Sequence, residues 1–75
     1  MQLYNFEVLR GEEVIAVQPY VPLHDTKAAW PKIAKIAKSI SLSDCRIRVR
    51  EQSGAIVILI GAAAAQRYAY PAASV

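Results

Sequence analysis

The sequence predicts an α+β fold of two layers, in which a four-stranded, largely antiparallel sheet carries one helix packed on one face, in the order ββαββ. Two observations lead to this prediction. Four segments have the alternation or the β-branched content of strands, and one segment between the second and the third repeats its apolar residues with a helical period. The chain has 75 residues, which leaves room for one domain. We place that domain at residues 1–61 and expect the alanine-rich residues 62–75 to form a partly ordered C-terminal tail.

The first two strands are predicted on either side of a tight turn at Arg10-Gly11. Residues 3–9 alternate apolar and polar side chains, as a strand with one buried face does. Residues 12–17 are rich in β-branched side chains, and this strand is expected to end before Pro19, because proline cannot donate a ladder hydrogen bond. A tight turn would pair Phe6 with Ile15 and Tyr4 with Val17. A longer loop would turn the opposite face inward.

An amphipathic helix is predicted after an extended connector, residues 18–23. Asp25 is the expected N-cap. The apolar stripe of this helix consists of Ala29, Ile33, Ile36, Ala37 and Ile40, and its wet face carries Lys27, Lys32, Lys35 and Lys38. Pro31 would cost about 3 kcal/mol in an ideal helix interior. Two starts therefore stay open, a bent first turn or a helix that begins at Pro31, and we favour the bent start.

The closing hairpin is predicted from a regular strand and an apolar one. Residues 45–51 alternate without interruption, and residues 56–60 are apolar on both faces. A loop at Ser53-Gly54 predicts four cross-strand pairs, Val49 with Ile58, Ile47 with Ile60, Arg50 with Val57, and Arg48 with Leu59. The apolar strand is expected to lie in the centre of the sheet, because strands buried on both faces lose the polar alternation.

Composition excludes several classes of protein. A hydrophobic content of 55% excludes a disordered chain. The single Cys45 and the single His24 exclude a disulfide framework and a Cys/His zinc site. The longest apolar stretch, residues 55–65, falls short of the roughly 20 residues that a membrane-spanning helix needs. The first residues lack the charged and apolar pattern of a signal peptide, so we expect a cytoplasmic protein with no membrane contact.

No constellation of residues points to catalysis, a cofactor or a metal. Cys45 as a nucleophile would need His24 as its base, and a small buried hydrophobe is the favoured interpretation of this cysteine. Glu12 and Glu13 are adjacent on a strand, so their side chains point to opposite faces. The glycines are isolated and form no phosphate-binding loop. We therefore expect no enzyme.

The third predicted strand contains three regularly spaced arginines, which are the strongest indication of a function in the sequence. Arg46, Arg48 and Arg50 occupy every second position, so they project from one face about 7 Å apart. The spacing of phosphates along a nucleic-acid strand is of that order. Aromatic residues that could stack on bases are Tyr4, Tyr20, Trp30, Tyr68 and Tyr70. Weak binding of nucleic acid through this basic face is the alternative function.

A structural interpretation of the same arginines is favoured over nucleic-acid binding. Their stems would lie over Val57 and Leu59 and shield them from water. Glu7 and Glu51 are the carboxylates expected to pair with some of the guanidinium groups. The net charge of +3 is mild for a nucleic-acid-binding domain.

Self-association is the leading hypothesis, because one helix covers only one face of the sheet. Val57 and Leu59, with Val14 and Leu9 as further candidates, are expected to point to the other face, where the arginine stems, the tail or a second copy must cover them. We expect a homodimer that acts by self-association and by contact with a partner protein. The candidate interaction surface consists of Arg46, Arg48, Arg50, Val57 and Leu59.

Four segments carry a resemblance to a known family. They are residues 3–8, 21–25, 28–34 and 45–49, the last of which precedes a glycine turn. With them the chain resembles, up to about Gly61, a family of short bacterial proteins known as a domain of unknown function. The resemblance implies the ββαββ order and a stand-alone cytoplasmic protein, and it assigns no functional residue. The lysine-rich helix departs from the more acidic helices of that family.

Overall fold

A computed structural model describes residues 1–40 and 44–66 and confirms the predicted α+β fold. Its elements are strand β1 (Gln2–Arg10), strand β2 (Glu13–Leu23), a 3₁₀ turn (Thr26–Ala28), helix α1 (Ala29–Ser39), strand β3 (Cys45–Glu51) and strand β4 (Ile56–Gly61). The four strands form one antiparallel sheet in the order β2-β1-β3-β4, with α1 on one face.

The core lies between α1 and the sheet. Its main cluster contains Tyr4, Phe6, Ala29, Ile33, Ala37, Ile47, Val49, Ile58 and Ala65. The helix contributes its predicted stripe, and Ile36 and Ile40 pack at the margin of the cluster. A smaller cluster of Val8, Cys45 and Ala62 continues the core toward one end of the sheet. The favoured interpretation of Cys45 as a buried hydrophobe is confirmed, since this side chain is only 1% exposed.

The predicted register of β1 against β2 is wrong. Arg10 pairs with Glu13, so the turn consists of residues 11 and 12, and Gly11 adopts a φ of 64° that favours glycine. Two register shifts then displace the strands further, so that Phe6 pairs with Gln18 and Tyr4 with Val21. A prediction that assumes one regular ladder cannot place such bulges.

Strand β2 also continues through the prolines that were expected to end it. It runs to Leu23 because it is an edge strand, where a missing N–H need not break a ladder. Tyr20 has a φ of 59° beside the first register shift. Its backbone N–H donates to Asn5 Oδ1 at 3.1 Å, so a side chain takes the place of a ladder partner.

The start of the helix follows the bent alternative. Asp25 accepts a hydrogen bond from the backbone N–H of Ala28 at 3.0 Å and so caps the 3₁₀ turn. Helix α1 begins at Ala29, which places Pro31 in its first turn. The N–H groups of a first turn have no partner within the helix, so proline removes no hydrogen bond there.

The hairpin of β3 and β4 has most of the predicted register, but β4 is not the central strand. Three of the four predicted pairs are present, and Arg50 pairs with Ile56 instead of Val57. The reason is a register shift next to the turn, where Gly54 has a φ of 97°. Strand β4 forms one edge of the sheet, so its apolar composition does not reflect burial on both faces.

Residues 62–66 continue beyond β4 as a helical segment. Ala62 and Ala65 are fully buried, and the side-chain amide of Gln66 donates to the carbonyl of Ala37 at 2.9 Å. The tail predicted for 62–75 is thus helical and packed over its first five residues. Residues 67–75 lie outside the described residues.

Candidate interaction surface

The candidate surface lies on the face of the sheet opposite α1, which we call the open face. Because side chains alternate along a strand, the residues between the core positions project there. The register builds a row across all four strands, from Val17 through Glu7 and Arg48 to Leu59. The charged residues of this row stand on the two inner strands, and its apolar residues stand on the two edge strands.

Glu7 is the centre of the open face and holds two of the three arginines. Its Oε1 accepts a hydrogen bond from Arg48 Nε at 2.6 Å, and its Oε2 accepts one from an Arg50 terminal nitrogen at 3.3 Å. Glu7 is only 7% exposed, so these contacts compensate a carboxylate that is largely removed from water. The expectation that Glu7 pairs with the arginines is confirmed.

The third arginine is held by the turn between β1 and β2. A terminal nitrogen of Arg46 donates to the carbonyl oxygen of Gly11 at 3.1 Å. Arg46 is also the cross-strand partner of Leu9, which is buried although it lies on the open face. A long side chain with a wet head can shield an apolar neighbour in this way. Leu9 was among the residues expected to need a cover on this face, and Arg46 is the arginine beside it.

The position of Val57 differs from the prediction. The register shift makes Val57 an extra residue, half-buried and packed against the main core cluster. Ile56 takes the place opposite Arg50 that was predicted for Val57. Leu59 lies opposite Arg48, as predicted. The apolar residues of β4 beside the arginines are therefore Ile56 and Leu59. The bulge that puts Ile56 in this place could not be predicted, because the residues around it are all apolar.

Apolar side chains remain half-exposed along both edges of the open face. Ile56 and Leu59 on β4 are 53% and 51% exposed, and Val17 on β2 is 50% exposed. Val14, the partner of Leu9, is exposed as well. The open face thus consists of a charged centre with apolar margins, a composition in which a partner can find both hydrophobic contacts and hydrogen-bonding groups.

Among the described residues, the aromatic side chains do not assemble a stacking platform beside the arginines. Tyr4 is buried in the core on the helix side, and Trp30 belongs to α1 in the other layer. Tyr20 is exposed on β2, two strands away from β3. Tyr68 and Tyr70 lie outside the described residues.

His24 and Cys45 lie at opposite ends of β1. Leu23 pairs with Gln2 at the start of that strand, and Cys45 pairs with Arg10 at its end. A strand rises about 3.3 Å per residue, so roughly 25 Å separates the two positions. His24 cannot serve as a base for the Cys45 thiol at that distance.

No metal centre stands out in the described part of the chain, and a cleft of about 430 Å³ is open to solvent and lined by Met1, Gln2 and Gln52, among others. Within residues 1–40 and 44–66, no three His, Cys, Asp or Glu side chains come together as metal ligands. An open cleft of about 230 Å³ lies between β2 and α1 and is lined by Phe6, Val8 and Ile36, among others. This volume is below the roughly 300–1,000 Å³ of typical ligand pockets.

Comparison with protein-family models, with curated proteins and with solved structures found no match for this chain. The family resemblance described above therefore stays a prediction. The described helices are all too short or too polar to cross a membrane.

Proposed function

We propose that this protein is not an enzyme and that it acts by self-association and by contact with partner proteins through its sheet. One observation carries the proposal. Helix α1 covers one face, and half-exposed apolar residues stand at both margins of the other face, with Val17 on β2 and Ile56 and Leu59 on β4. Exposed apolar residues that cluster beside polar ones, as Ile56 and Leu59 do on β4, mark contact sites in small proteins.

Burial of these margins would supply enough free energy for association. Apolar surface removed from water contributes about 25 cal/mol per Å², so a few hundred Å² contribute several kcal/mol before the entropic cost of association. A 75-residue chain has a thin core of its own, which makes this added burial a large fraction of its stability.

The charges of the open face support protein contact more than nucleic-acid binding. Glu7 accepts hydrogen bonds from Arg48 and Arg50, and Arg46 donates to a backbone carbonyl. Phosphates would have to compete with these partners for the guanidinium groups. The basic face with Arg46, Arg48 and Arg50 stays the alternative site for nucleic acid.

A cytoplasmic location belongs to the same proposal. Cys45 is a free, buried thiol, and it packs with Val8 and Ala62 as an apolar side chain. Such a thiol is compatible with a reducing compartment, where cysteines stay unpaired.

The test is the molar mass of the whole chain in solution. Size-exclusion chromatography with light scattering, over a series of protein concentrations, should show a mass that rises from one chain to two. A monomer that persists at high micromolar concentration would refute self-association. Single-stranded oligonucleotides added at low salt should leave the elution unchanged, and a salt-sensitive shift would favour the alternative function.

A further inference from the structure

The two edges of the sheet differ in their capacity to pair with another strand. Along β2, Pro19 and Pro22 lack an N–H, and Tyr20 has a left-handed backbone beside a register shift. Prolines and bulges are devices that keep an edge from pairing with a further strand. Strand β2 therefore presents an interrupted edge.

Strand β4 presents the opposite kind of edge. From Ile56 to Gly61 it contains no proline and no charged residue, its one register shift lies beside the turn and leaves Ile58 to Gly61 regular, and its apolar side chains Ile56 and Leu59 are half-exposed. Within the described residues its only strand partner is β3, so one row of backbone groups faces outward. An apolar, uncharged edge of this kind is a template for strand addition.

We propose that β4 pairs antiparallel with β4 of a second copy, so that two sheets join into one continuous sheet of eight strands. This inference rests on the self-association proposed above and names its surface. A two-fold axis perpendicular to the sheet would bring both open faces to the same side. Leu59 and Ile56 of each copy then lie beside apolar residues of the other, and cross-strand pairs of this type stabilise a sheet.

Charge favours this edge pairing over face-to-face packing of two open faces. Each open face carries Arg46, Arg48 and Arg50 against the single buried carboxylate of Glu7. Face-to-face packing would bring two such positive surfaces together, and like charges at an interface are unfavourable. Pairing along β4 joins two uncharged strands and leaves the arginine heads in water.

The contrast between the edges also limits the assembly to two copies. Pairing of β4 with β4 uses the same edge of both chains, which gives a closed, two-fold interface. The remaining edges of the joined sheet are the two interrupted β2 strands. Growth into longer sheets would need those edges, which the prolines and the bulges obstruct.

Hydrogen exchange of backbone amides tests the strand pairing itself, whatever its register. In a concentrated sample of the whole chain, amides of residues 56–61 should exchange roughly tenfold more slowly than in a dilute sample. Amides of β2, residues 13–23, should gain much less protection, because no partner strand covers them. A protein that is dimeric by light scattering but shows no added protection in β4 would overturn this inference and leave the proposed self-association standing. A protein that stays monomeric would overturn both.

A pair of matched lysine variants tests the location independently. Leu59→Lys and Val17→Lys change residues of nearly equal exposure on the same face, one at each edge of the sheet. Leu59→Lys should weaken the dimer by roughly tenfold, because it places like charges beside each other across the new strand pair. Val17→Lys should leave the dissociation constant unchanged. Equal weakening by both variants would contradict pairing along β4, and circular dichroism would check that both variants fold.

Discussion

Glu7 links two strands through its side chain as well as through its backbone. It stands on β1, and the two arginines that it binds stand on β3, two residues apart on the same face. Arg48 is the better partner, because its hydrogen bond is shorter and its side chain is more buried than that of Arg50. Arg50 Nε is buried and has no hydrogen-bond partner among the described residues, which reduces what Arg50 contributes.

Replacement of Glu7 by glutamine should measure this arrangement. Glu7→Gln keeps the shape of the side chain and removes the charge, so it turns one acceptor oxygen into an NH₂ group that faces a guanidinium donor. We expect the free energy of unfolding in urea to fall by about 1–3 kcal/mol, the range for hydrogen bonds to charged groups. Glu12→Gln is the control, because it changes the net charge by the same amount at an exposed residue of a turn. An equal effect of both variants would mean that Glu7 acts only through net charge.

At the scale of elements, the entry into α1 depends on one cap. The carboxylate of Asp25 accepts from the N–H of Ala28, while Ala28, the cap position of α1 itself, makes no side-chain hydrogen bond. Pro31 then fits into the first turn, where its φ is already helical. The 3₁₀ turn and the helix thus share a single capping side chain.

Removal of that cap should destabilise the fold measurably. Asp25→Ala leaves the N–H of Ala28 without its side-chain acceptor, and we expect a loss of about 1 kcal/mol in the free energy of unfolding. Asp44→Ala is a matched control. With the described residues, Asp44 makes an exposed ion pair with Arg10 at 3.7 Å and no other side-chain contact of this kind, and such pairs contribute about 0–1 kcal/mol. If thermal and urea denaturation showed a larger loss for Asp44→Ala than for Asp25→Ala, the capping role would be wrong.

The two hairpins show what sequence reasoning could and could not predict. In β3 and β4 the alternation from Cys45 and the glycine at 54 fix a short turn, and the pairs Val49–Ile58 and Ile47–Ile60 follow. In β1 and β2 the register depends on bulges, one of which lies beside the left-handed Tyr20. Alternation specifies which face is buried, but an extra residue shifts all later pairs without changing the composition.

The candidate surface was predictable in part for the same reason. Regular alternation placed Arg46, Arg48 and Arg50 together on one face, and the hairpin placed Leu59 opposite Arg48. Because of the bulge, Ile56 and not Val57 lies opposite Arg50. The residues on both sides of the bulge are apolar, so the sequence has no alternation that would reveal it. Leu9 was a candidate for this face, but the arginine beside it could not be predicted, because that arginine comes from a strand distant in sequence.

At the scale of the whole molecule, the position of β4 is the largest departure from expectation. An apolar strand is ordinarily read as a central one, because burial on both faces removes the need for polar residues. Here β4 lies at an edge, and Ile58 alone among its residues is buried. An apolar edge is an aggregation hazard unless it is paired or covered, and the proposed pairing of two copies would remove that hazard.

Pairing along β4 would also make the stability of the protein depend on its concentration. While the dimer predominates, a tenfold rise in protein concentration contributes about 1.4 kcal/mol to its stability, shared between two chains. Because 1 kcal/mol shifts the melting temperature of a domain of this size by several degrees, the midpoint should rise by roughly 3–5 °C for each tenfold rise in concentration. Differential scanning fluorimetry or calorimetry over such a series measures it.

The variant that weakens the pairing should displace this dependence. Leu59→Lys should show the rise of the midpoint only at roughly tenfold higher concentration than the unmodified chain, because its dimer is weaker by that factor. A midpoint that stayed constant for the unmodified chain at every concentration would show that each sheet is stable alone. The apolar edge of β4 would then be a property of the monomer, and its hydrophobic residues would need another explanation.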